Sequence, residues 1–441
     1  MPQLEFGPPG TSPENRGRLH LSGTALTLDT EHFRIHYTLS GEDRTPELDE
    51  NNNSHPDYVE EVARALEFSW FAEVEHFGWP APPSDKGLGG DERYDIYLQD
   101  LYGEEEIAGF TSEDDSVLSP LDNPNSSIAE EDAAYTYIAL DNDYAEYEED
   151  PTPGVSVIEF MRSAAAHEFN HAIQYGYDRF EPHSWVWEAT ATWMEDEVFD
   201  SINQTRDYLY AVFKSPDSCQ LAEGEDERVE DTYHRYGLWL FMRYLSERYN
   251  HDTVRQLWES IIEHDGYAAW DSLLESKGTT FEAFFRDYSV ALLTRDFQEG
   301  QEYPLVRLEG EARADATFVP LNGVGQIGAD YIELLGNGVL HVALDNPRLD
   351  GLIVGIRDGQ SYAIPLQDGQ ASFNVSFFEH SYLIVLNLNR PSGEANCHLA
   401  EYTLAISRGE QPQSPFDPLP APNFRPPRVE GLIDPQDFFG E

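Results

Sequence analysis

The chain has 441 residues, 40% of them apolar and 13% aromatic, which is enough to fill the cores of two or three globular domains. Its 83 acidic and 27 basic residues give a formal charge of −56, so the chain would repel the phosphate backbone of a nucleic acid. We therefore expect no nucleic-acid partner. A surface rich in carboxylates suits a salty environment or an exported protein that must stay soluble. We also expect the protein to be a monomer.

The cysteines and the chain start bear on the cellular location. Cys219 and Cys397 are too few for a disulfide scaffold, and either one long-range bridge or two separate buried thiols fits the sequence. No apolar run approaches the roughly 20 residues that span a bilayer, and MPQLEFGPPG lacks the basic and apolar regions of a signal peptide. We expect a secreted or cell-surface protein whose leader is absent from this chain.

The first third of the chain predicts a mixed sheet and one long helix. After an N-terminal extension at 1–29, the run HFRIHYTL alternates as a strand does, and residues 56–77 begin with Pro and have helical spacing. RYDIYLQDL and AYTYIALDN are further strand candidates. For IAGFTSED at 107–114 we favour an ordinary loop, with an edge strand beside a substrate cleft as the alternative.

A helical region and then a strand-rich region follow. Ser156 and Glu159 have the spacing of a capping box, and the helix that they would open runs to Gly176. Further helices are predicted at 184–199, 202–213, 232–249, 251–264 and 279–296. From about 303, short β-rich runs separated by turn residues predict a small β-sandwich at 301–408, followed by a Pro-rich tail at 409–441.

The segment AAAHEFNHAIQYGYD contains the pattern H-E-x-x-H at His167, Glu168 and His171. Two histidines four residues apart lie on one helix face, so both imidazoles can reach one zinc ion at about 2 Å. Glu168 projects beside the metal, where its carboxylate can take a proton from water and pass it to a leaving amine. The pattern therefore predicts a catalytic zinc site.

A catalytic zinc ion takes a third protein ligand and keeps one position for water. SWVWEATATWMEDE supplies Glu188 on the next predicted helix, and its tryptophans indicate burial, where a carboxylate needs a partner. A histidine-based third-ligand pattern fails because its glycine and histidine positions hold Gln174 and Tyr177. The weaker candidates for the third ligand are His183, Glu181 and Asp178.

These residues resemble the gluzincin class of zinc peptidases, and WVWEATATWME resembles the segment that carries the glutamate ligand in aminopeptidase-like members. HFRIHYT, PDYVEEVARALE, YDIYLQDL, HEFNHAIQYGYD, WEATATWMEDEV and YGLWLFMRYLSERY together are similar to a family of exported bacterial metalloproteases. The resemblance covers roughly residues 30–300. It implies an α+β fold with a zincin-like catalytic domain at 30–300 before the β-sandwich.

The resemblance leaves two supporting roles open. Thermolysin-like enzymes have an Asp four residues after the glutamate ligand to orient a histidine; here that position is Thr192, and Glu195 lies one further turn along. Gluzincins also use a Tyr or His from a later helix to donate to the oxyanion. In DTYHRYGLWLF we favour Tyr236 for that role, with His234 and Tyr233 as alternatives.

The leading hypothesis is zinc-dependent hydrolysis of peptide bonds in proteins or peptides. The alternative is a catalytically silent, metal-containing surface or binding protein that acts through the β-sandwich, and a third hypothesis is metal-assisted hydrolysis of another substrate. Calcium is a further candidate ion, but the acidic segments 130–134, 141–150 and 224–231 do not match the D-x-D-x-D-G loop pattern.

Overall fold

The computed structural model describes residues 18–101, 107–113, 121–149, 151–219, 234–390 and 398–409. By its internal contacts the chain forms two compact units. Of the described residues, the first unit comprises those in 18–207 and 250–273, and the second comprises those in 208–249 and 274–409. The domain boundaries predicted from the sequence do not coincide with this division and stay predictions.

A mixed five-stranded sheet lies in the first unit, in the order β1, β2, β3, β5, β4. β2 pairs with β3, and β3 with β5, in parallel, whereas β1 and β4 pair antiparallel with β2 and β5. The strands are β1 Leu26–Asp29, β2 Phe33–Tyr37, β3 Tyr94–Gln99, β4 Gly109–Glu113 and β5 Thr136–Asp141. The alternation in β2 buries Phe33, Ile35 and Tyr37, as period-two patterning predicts. The predicted mixed sheet is confirmed.

Helices pack on this sheet and against one another. The helix α2 packs against α1, α3, β4 and β5. The helices of the first unit are α1 Asp57–Trp70, a π-helix at Phe71–His76, α2 Val157–Tyr175 and α3 Ser184–Val198, with a 3-10 turn at Ala145–Glu149. Later along the chain this unit also contains α7 Asp252–Ile261. The H-E-x-x-H pattern therefore lies mid-helix, between the sheet and α3.

The start of α2 is set by the predicted capping box. The Ser156 side chain accepts from the Glu159 backbone N–H at 3.3 Å, and the Glu159 carboxylate accepts from the Ser156 N–H at 2.7 Å. The two contacts satisfy N–H groups that have no partner inside the helix. The helix ends before Gly176, as predicted.

The second unit contains a β-sandwich, as predicted. Five strands pair in the order β11, β10, β13, β8, β6 and four in the order β12, β9, β14, β7, and both sheets supply residues to one apolar core. The strands are β6 Gly310–Arg313, β7 Ala316–Phe318, β8 Gly328–Leu335, β9 Val339–Leu344, β10 Asp350–Arg357, β11 Gln360–Pro365, β12 Gln370–Asn374, β13 His380–Asn387 and β14 Leu404–Arg408. The protein is therefore of the α+β class.

The remaining helices show where the sequence prediction succeeded and failed. They are α4 Leu209–Lys214, α5 His234–Gly237, α6 Trp239–Arg248, α8 Tyr267–Ser276 and α9 Phe281–Thr294. α8 was not predicted, nor were β1, β6 and β7. The favoured loop at 107–114 was wrong over Gly109–Glu113, because pairing with β5 makes that segment the edge strand β4.

Cys219 is disulfide-bonded, so the bridged alternative is the one that the structure supports. Cys397 and the Pro-rich tail from 410 onward lie outside the described residues. No helix in the described part of the chain combines the length and apolarity that a bilayer span requires.

Removing the cap of α2 should destabilise the protein without changing the candidate metal ligands. We expect Ser156→Ala to lower the free energy of unfolding by about 1 kcal/mol, because an N–H group loses its acceptor. Ser156→Asp keeps an acceptor and should stay close to the wild type. Denaturant unfolding measures both variants, and equal stability of Ser156→Ala and the wild type would contradict the capping role.

Candidate metal centre

Two helices bring the three predicted metal ligands around one point. His167 and His171 project from α2 and Glu188 from α3, and one ligand atom of each lies within 4.8 Å of the others. Glu188 Oε2 lies 3.2 Å from His167 Nε2 and 3.6 Å from His171 Nε2. Zinc bonds near 2 Å at tetrahedral angles place ligand atoms about 3.3 Å apart. The donor set therefore fits a zinc ion.

The hydrogen bond on the far side of the His167 ring fixes the tautomer of that ring. His167 Nδ1 lies 2.7 Å from Glu195 Oε1, and because a carboxylate can only accept, Nδ1 carries the hydrogen. In the neutral ring the lone pair of Nε2 then faces the Glu188 carboxylate across 3.2 Å. Two electron-rich atoms at that distance need a cation at Nε2, either a proton or a metal ion.

The pKa of His167 reports the same demand for positive charge. Burial lowers this pKa, but the hydrogen bonds to Glu188 and Glu195 and the neighbouring carboxylates outweigh burial and raise it to about 10. Burial also raises the pKa of Glu195, while His167 lowers it. The carboxylates therefore create a buried negative field at the two imidazoles, which a divalent cation can offset.

His171 is oriented by an amide. Its Nδ1 lies 2.7 Å from Gln174 Oε1, and the Gln174 amide nitrogen donates to Asn170 Oδ1 at 2.8 Å and to the Trp187 carbonyl at 3.1 Å. Asn170 in turn donates to Glu73 Oε2 at 2.9 Å. Since the Gln174 nitrogen is committed to acceptors, its oxygen accepts from Nδ1–H, and the lone pair of His171 Nε2 points toward Glu188.

Glu168 contacts the edge strand β4. The Thr111 hydroxyl lies 2.8 Å from Glu168 Oε2, whereas Glu168 Oε1 has no hydrogen-bond partner among the described residues. Burial raises the pKa of the Glu168 carboxyl, and His171, His167 and Thr111 act in the opposite direction. One oxygen of Glu168 is thus held, and the other is available to take a proton.

The whole centre is buried. His167, Glu168 and Glu188 have no exposed surface, and His171 is 1% exposed. The three tryptophans of α3, Trp185, Trp187 and Trp193, are also buried, as the sequence predicts for core residues. In this closed form the candidate ligands are therefore shielded from solvent.

Several other candidates from the sequence lie elsewhere or play a different part. Thr192 is buried and its hydroxyl has no hydrogen-bond partner among the described residues, whereas Glu195 contacts His167, so the orienting group is Glu195. His183 pairs with Glu181 at 3.1 Å. Among the described residues, the metal-ligand set around His167 includes neither of these two residues, nor Asp178.

Tyr236 lies on α5 in the second unit, where it is buried and its ring lies 5.4 Å from that of Tyr208. His234 is on the same short helix, and Tyr233 lies outside the described residues. The metal centre belongs to the first unit. The oxyanion role of Tyr236 therefore stays a prediction.

Three supporting residues were missed from the sequence: Gln174, Glu73 and Thr111. Gln174 lies three positions after His171 on the same helix, a spacing that could have suggested a contact. Glu73 and Thr111 lie 97 and 57 positions from their partners Asn170 and Glu168, and no local pattern connects residues so far apart.

None of the three acidic segments considered from the sequence has the calcium-loop pattern, but residues 49–60 have its spacing. Ser54 stands where the pattern has glycine and has a positive φ of 79°. The amides of Asn51 and Asn53 donate to the Glu60 carboxylate at 2.9 and 2.6 Å, so hydrogen bonds close the loop on itself. We assign no ion to it.

A second group of carboxylates lies in the second unit. Asp217, Glu309 and Asp330 offer oxygens within 4.8 Å of one another. Arg307 pairs with Asp217 at 2.5 Å and with Glu309 at 2.8 Å, and the Tyr402 hydroxyl donates to Asp330 at 2.7 Å. The guanidinium already supplies positive charge here, which indicates a structural cluster rather than a metal site.

Comparisons with known proteins give little information on the function of this chain. The profile of a family described as a family of unknown function (DUF6055) matches residues 154–315, less than half of the chain. No curated protein matches the chain. Among the solved structures that match are two that cover 22% of this chain. They are a periplasmic inhibitor of g-type lysozyme (PliG) from Salmonella Typhimurium and a mutant of the Escherichia coli inhibitor.

The two inhibitors are 15% and 14% identical to this chain, which covers 97% and 96% of their lengths with a TM-score of 0.16 in each case. A likeness that weak says nothing about the fold or function of this protein.

The Asp330 carboxyl should make stability depend on pH. Burial raises its pKa to about 7, aided by Asp217 and Glu309 and opposed by the Tyr402 hydroxyl. The unfolded pKa is about 3.9, so between these values the native state holds a proton that the unfolded state releases, and this contribution falls as pH rises. Asp330→Asn, which cannot ionise, should gain stability relative to the wild type as pH rises from 5 to 8. Denaturant unfolding across that range measures the difference, and a constant difference would contradict the shifted pKa.

Proposed function

We propose that this protein is a zinc-dependent hydrolase of peptide bonds. The observation that carries the proposal is the contact of His167: its Nδ1 is committed to Glu195, so its Nε2 lone pair faces the Glu188 carboxylate at 3.2 Å. That arrangement is favourable only with a proton or a metal ion between the two atoms, and two imidazoles with one carboxylate are the ligands that catalytic zinc takes in gluzincins. The resemblance of HEFNH and WEATATWMED to that class supports the same function.

Each side chain would have a distinct task. A zinc ion at His167, His171 and Glu188 would supply a Lewis acid that polarises a carbonyl and acidifies water. Glu195 and Gln174 hold the two imidazoles with their Nε2 lone pairs toward that ion. Glu168 would take a proton at Oε1 from the water that attacks the carbonyl, and would give that proton to the leaving amine as the peptide bond breaks.

A peptide substrate is supported by the position of β4. This strand is at the edge of the described sheet and touches Glu168 through Thr111. An extended peptide can add to such an edge by main-chain hydrogen bonds, which would lay it beside the general base. Because β4 is largely buried, a substrate could reach this edge only after the protein opens. An exported location, which this function suits, is part of the proposal.

The burial of the centre favours a second function. A metal ion held among fully buried ligands can stabilise a fold without catalysing a reaction, as structural zinc does. In that case the chain would be a silent binding or surface protein, with its interactions in the β-sandwich. The two functions differ in whether metal-loaded protein cleaves peptides.

The Glu168→Gln variant tests the hydrolase. An amide cannot take a proton, so we expect hydrolysis to fall by at least about 100-fold while zinc binding stays unchanged. Elemental analysis measures zinc, and a digest of a mixed peptide pool, read by mass spectrometry with and without a chelator, measures cleavage.

Glu188→Gln is the matched control, since it should lose zinc and hydrolysis together. Wild-type activity in Glu168→Gln would reject the mechanism. A wild-type protein that holds zinc tightly and cleaves nothing in the pool would favour the structural site instead.

A further inference from the structure

We propose that Thr111 is a positioning residue for the general base: its hydroxyl holds one oxygen of Glu168 and leaves the other available for proton transfer. The inference rests on the proposed hydrolytic function. The contacts that carry it belong to the protein alone and do not depend on a bound metal.

The Thr111 hydroxyl has two acceptors within reach, both on Glu168. Its Oγ1 lies 2.8 Å from the carboxylate Oε2 and 2.8 Å from the Glu168 backbone carbonyl. A hydroxyl has one hydrogen, and a carboxylate oxygen is the stronger acceptor because it is charged. Thr111 is itself only 3% exposed, so water does not compete for this contact. The hydroxyl therefore fixes Oε2 and distinguishes it from Oε1.

The same face of β4 is fitted to Glu168 at a second position. Gly109, two residues before Thr111, lies on the same side of the strand. A Cβ atom at Gly109 would lie 3.0 Å from Glu168 Cγ and 3.0 Å from the Ala139 carbonyl oxygen. Glycine there lets the strand approach the glutamate closely enough for the Thr111 hydroxyl to reach it. Two inward positions of an edge strand thus shape the surroundings of one side chain.

The held oxygen matters because a glutamate side chain has three rotatable bonds. Among the described residues, Oε1 has no hydrogen-bond partner, so the contact with Thr111 is what fixes the rotation of the carboxylate. Without the hydroxyl, both oxygens would be buried without a donor and the group would rotate to find one. A displacement of about 1 Å in a reacting group can lower a rate by about 100-fold.

Thr111→Val removes the hydroxyl and keeps the shape of the side chain. We expect kcat to fall by about 10- to 100-fold, while KM and zinc content stay within about twofold of the wild type. Thr111→Ser restores the hydroxyl and should recover most of the loss. Thr136→Val is the matched control, because Thr136 is a buried threonine of the neighbouring strand β5 whose hydroxyl contacts Tyr94 at 2.6 Å. It should keep the wild-type kcat.

Crystal structures of the wild type and of Thr111→Val supply a second readout that needs no activity. We expect the Glu168 carboxylate to rotate in the variant, and an unchanged carboxylate would overturn the proposal. So would a Thr111→Val enzyme with wild-type kcat, or an equal loss in Thr136→Val. If the wild type cleaves nothing, the hydrolytic function fails, and the rotation of Glu168 alone then decides whether Thr111 positions it.

Discussion

The structure of the first unit depends on how carboxylates are buried next to imidazoles. Glu168, Glu188 and Glu195 lie around His167 and His171 with no more than 1% of any side chain exposed. Isolated charges at that depth cost several kcal/mol each, so the arrangement is stable only when positive charge is present to offset the carboxylates. The packing of α2 against α3 and the sheet brings these groups together. A metal ion, in this view, completes the fold as well as the chemistry.

Local spacing was enough to predict the three side chains that the structure brings together. His167, Glu168 and His171 are brought together by one turn of α2, and Glu188 comes from the next helix, so no knowledge of long-range packing was needed. Thr111 and Glu73 could not be found in the same way, because sheet pairing and the π-helix bring them to α2 from other parts of the chain. Tyr236 lies in the other compact unit, and its role at the oxyanion stays a prediction.

The strands also differ in how much of their structure a local pattern predicts. β2 and β5 were predicted because their apolar residues alternate or run continuously, which is the pattern of a buried strand. β4 reads GFTSE, with one large apolar residue, and is a strand only because β5 offers it a pairing edge. The matched family profile spans 154–315, which includes α2 and α3 but neither β4 nor the π-helix. That match therefore covers the three candidate metal ligands, but it does not cover Thr111 on β4 or Glu73 on the π-helix.

The complete enclosure of the centre has a kinetic meaning. For a catalyst whose reactive groups are inaccessible in the ground state, the observed rate is the rate of the open form multiplied by its population, and a population of about 1% lowers the apparent affinity for substrate about 100-fold. Under the proposed hydrolytic function, the closed form would not cleave the proteins of the cell that makes it. Heat, mild denaturant or a surface that loosens the packing would then accelerate turnover before it destroys the fold.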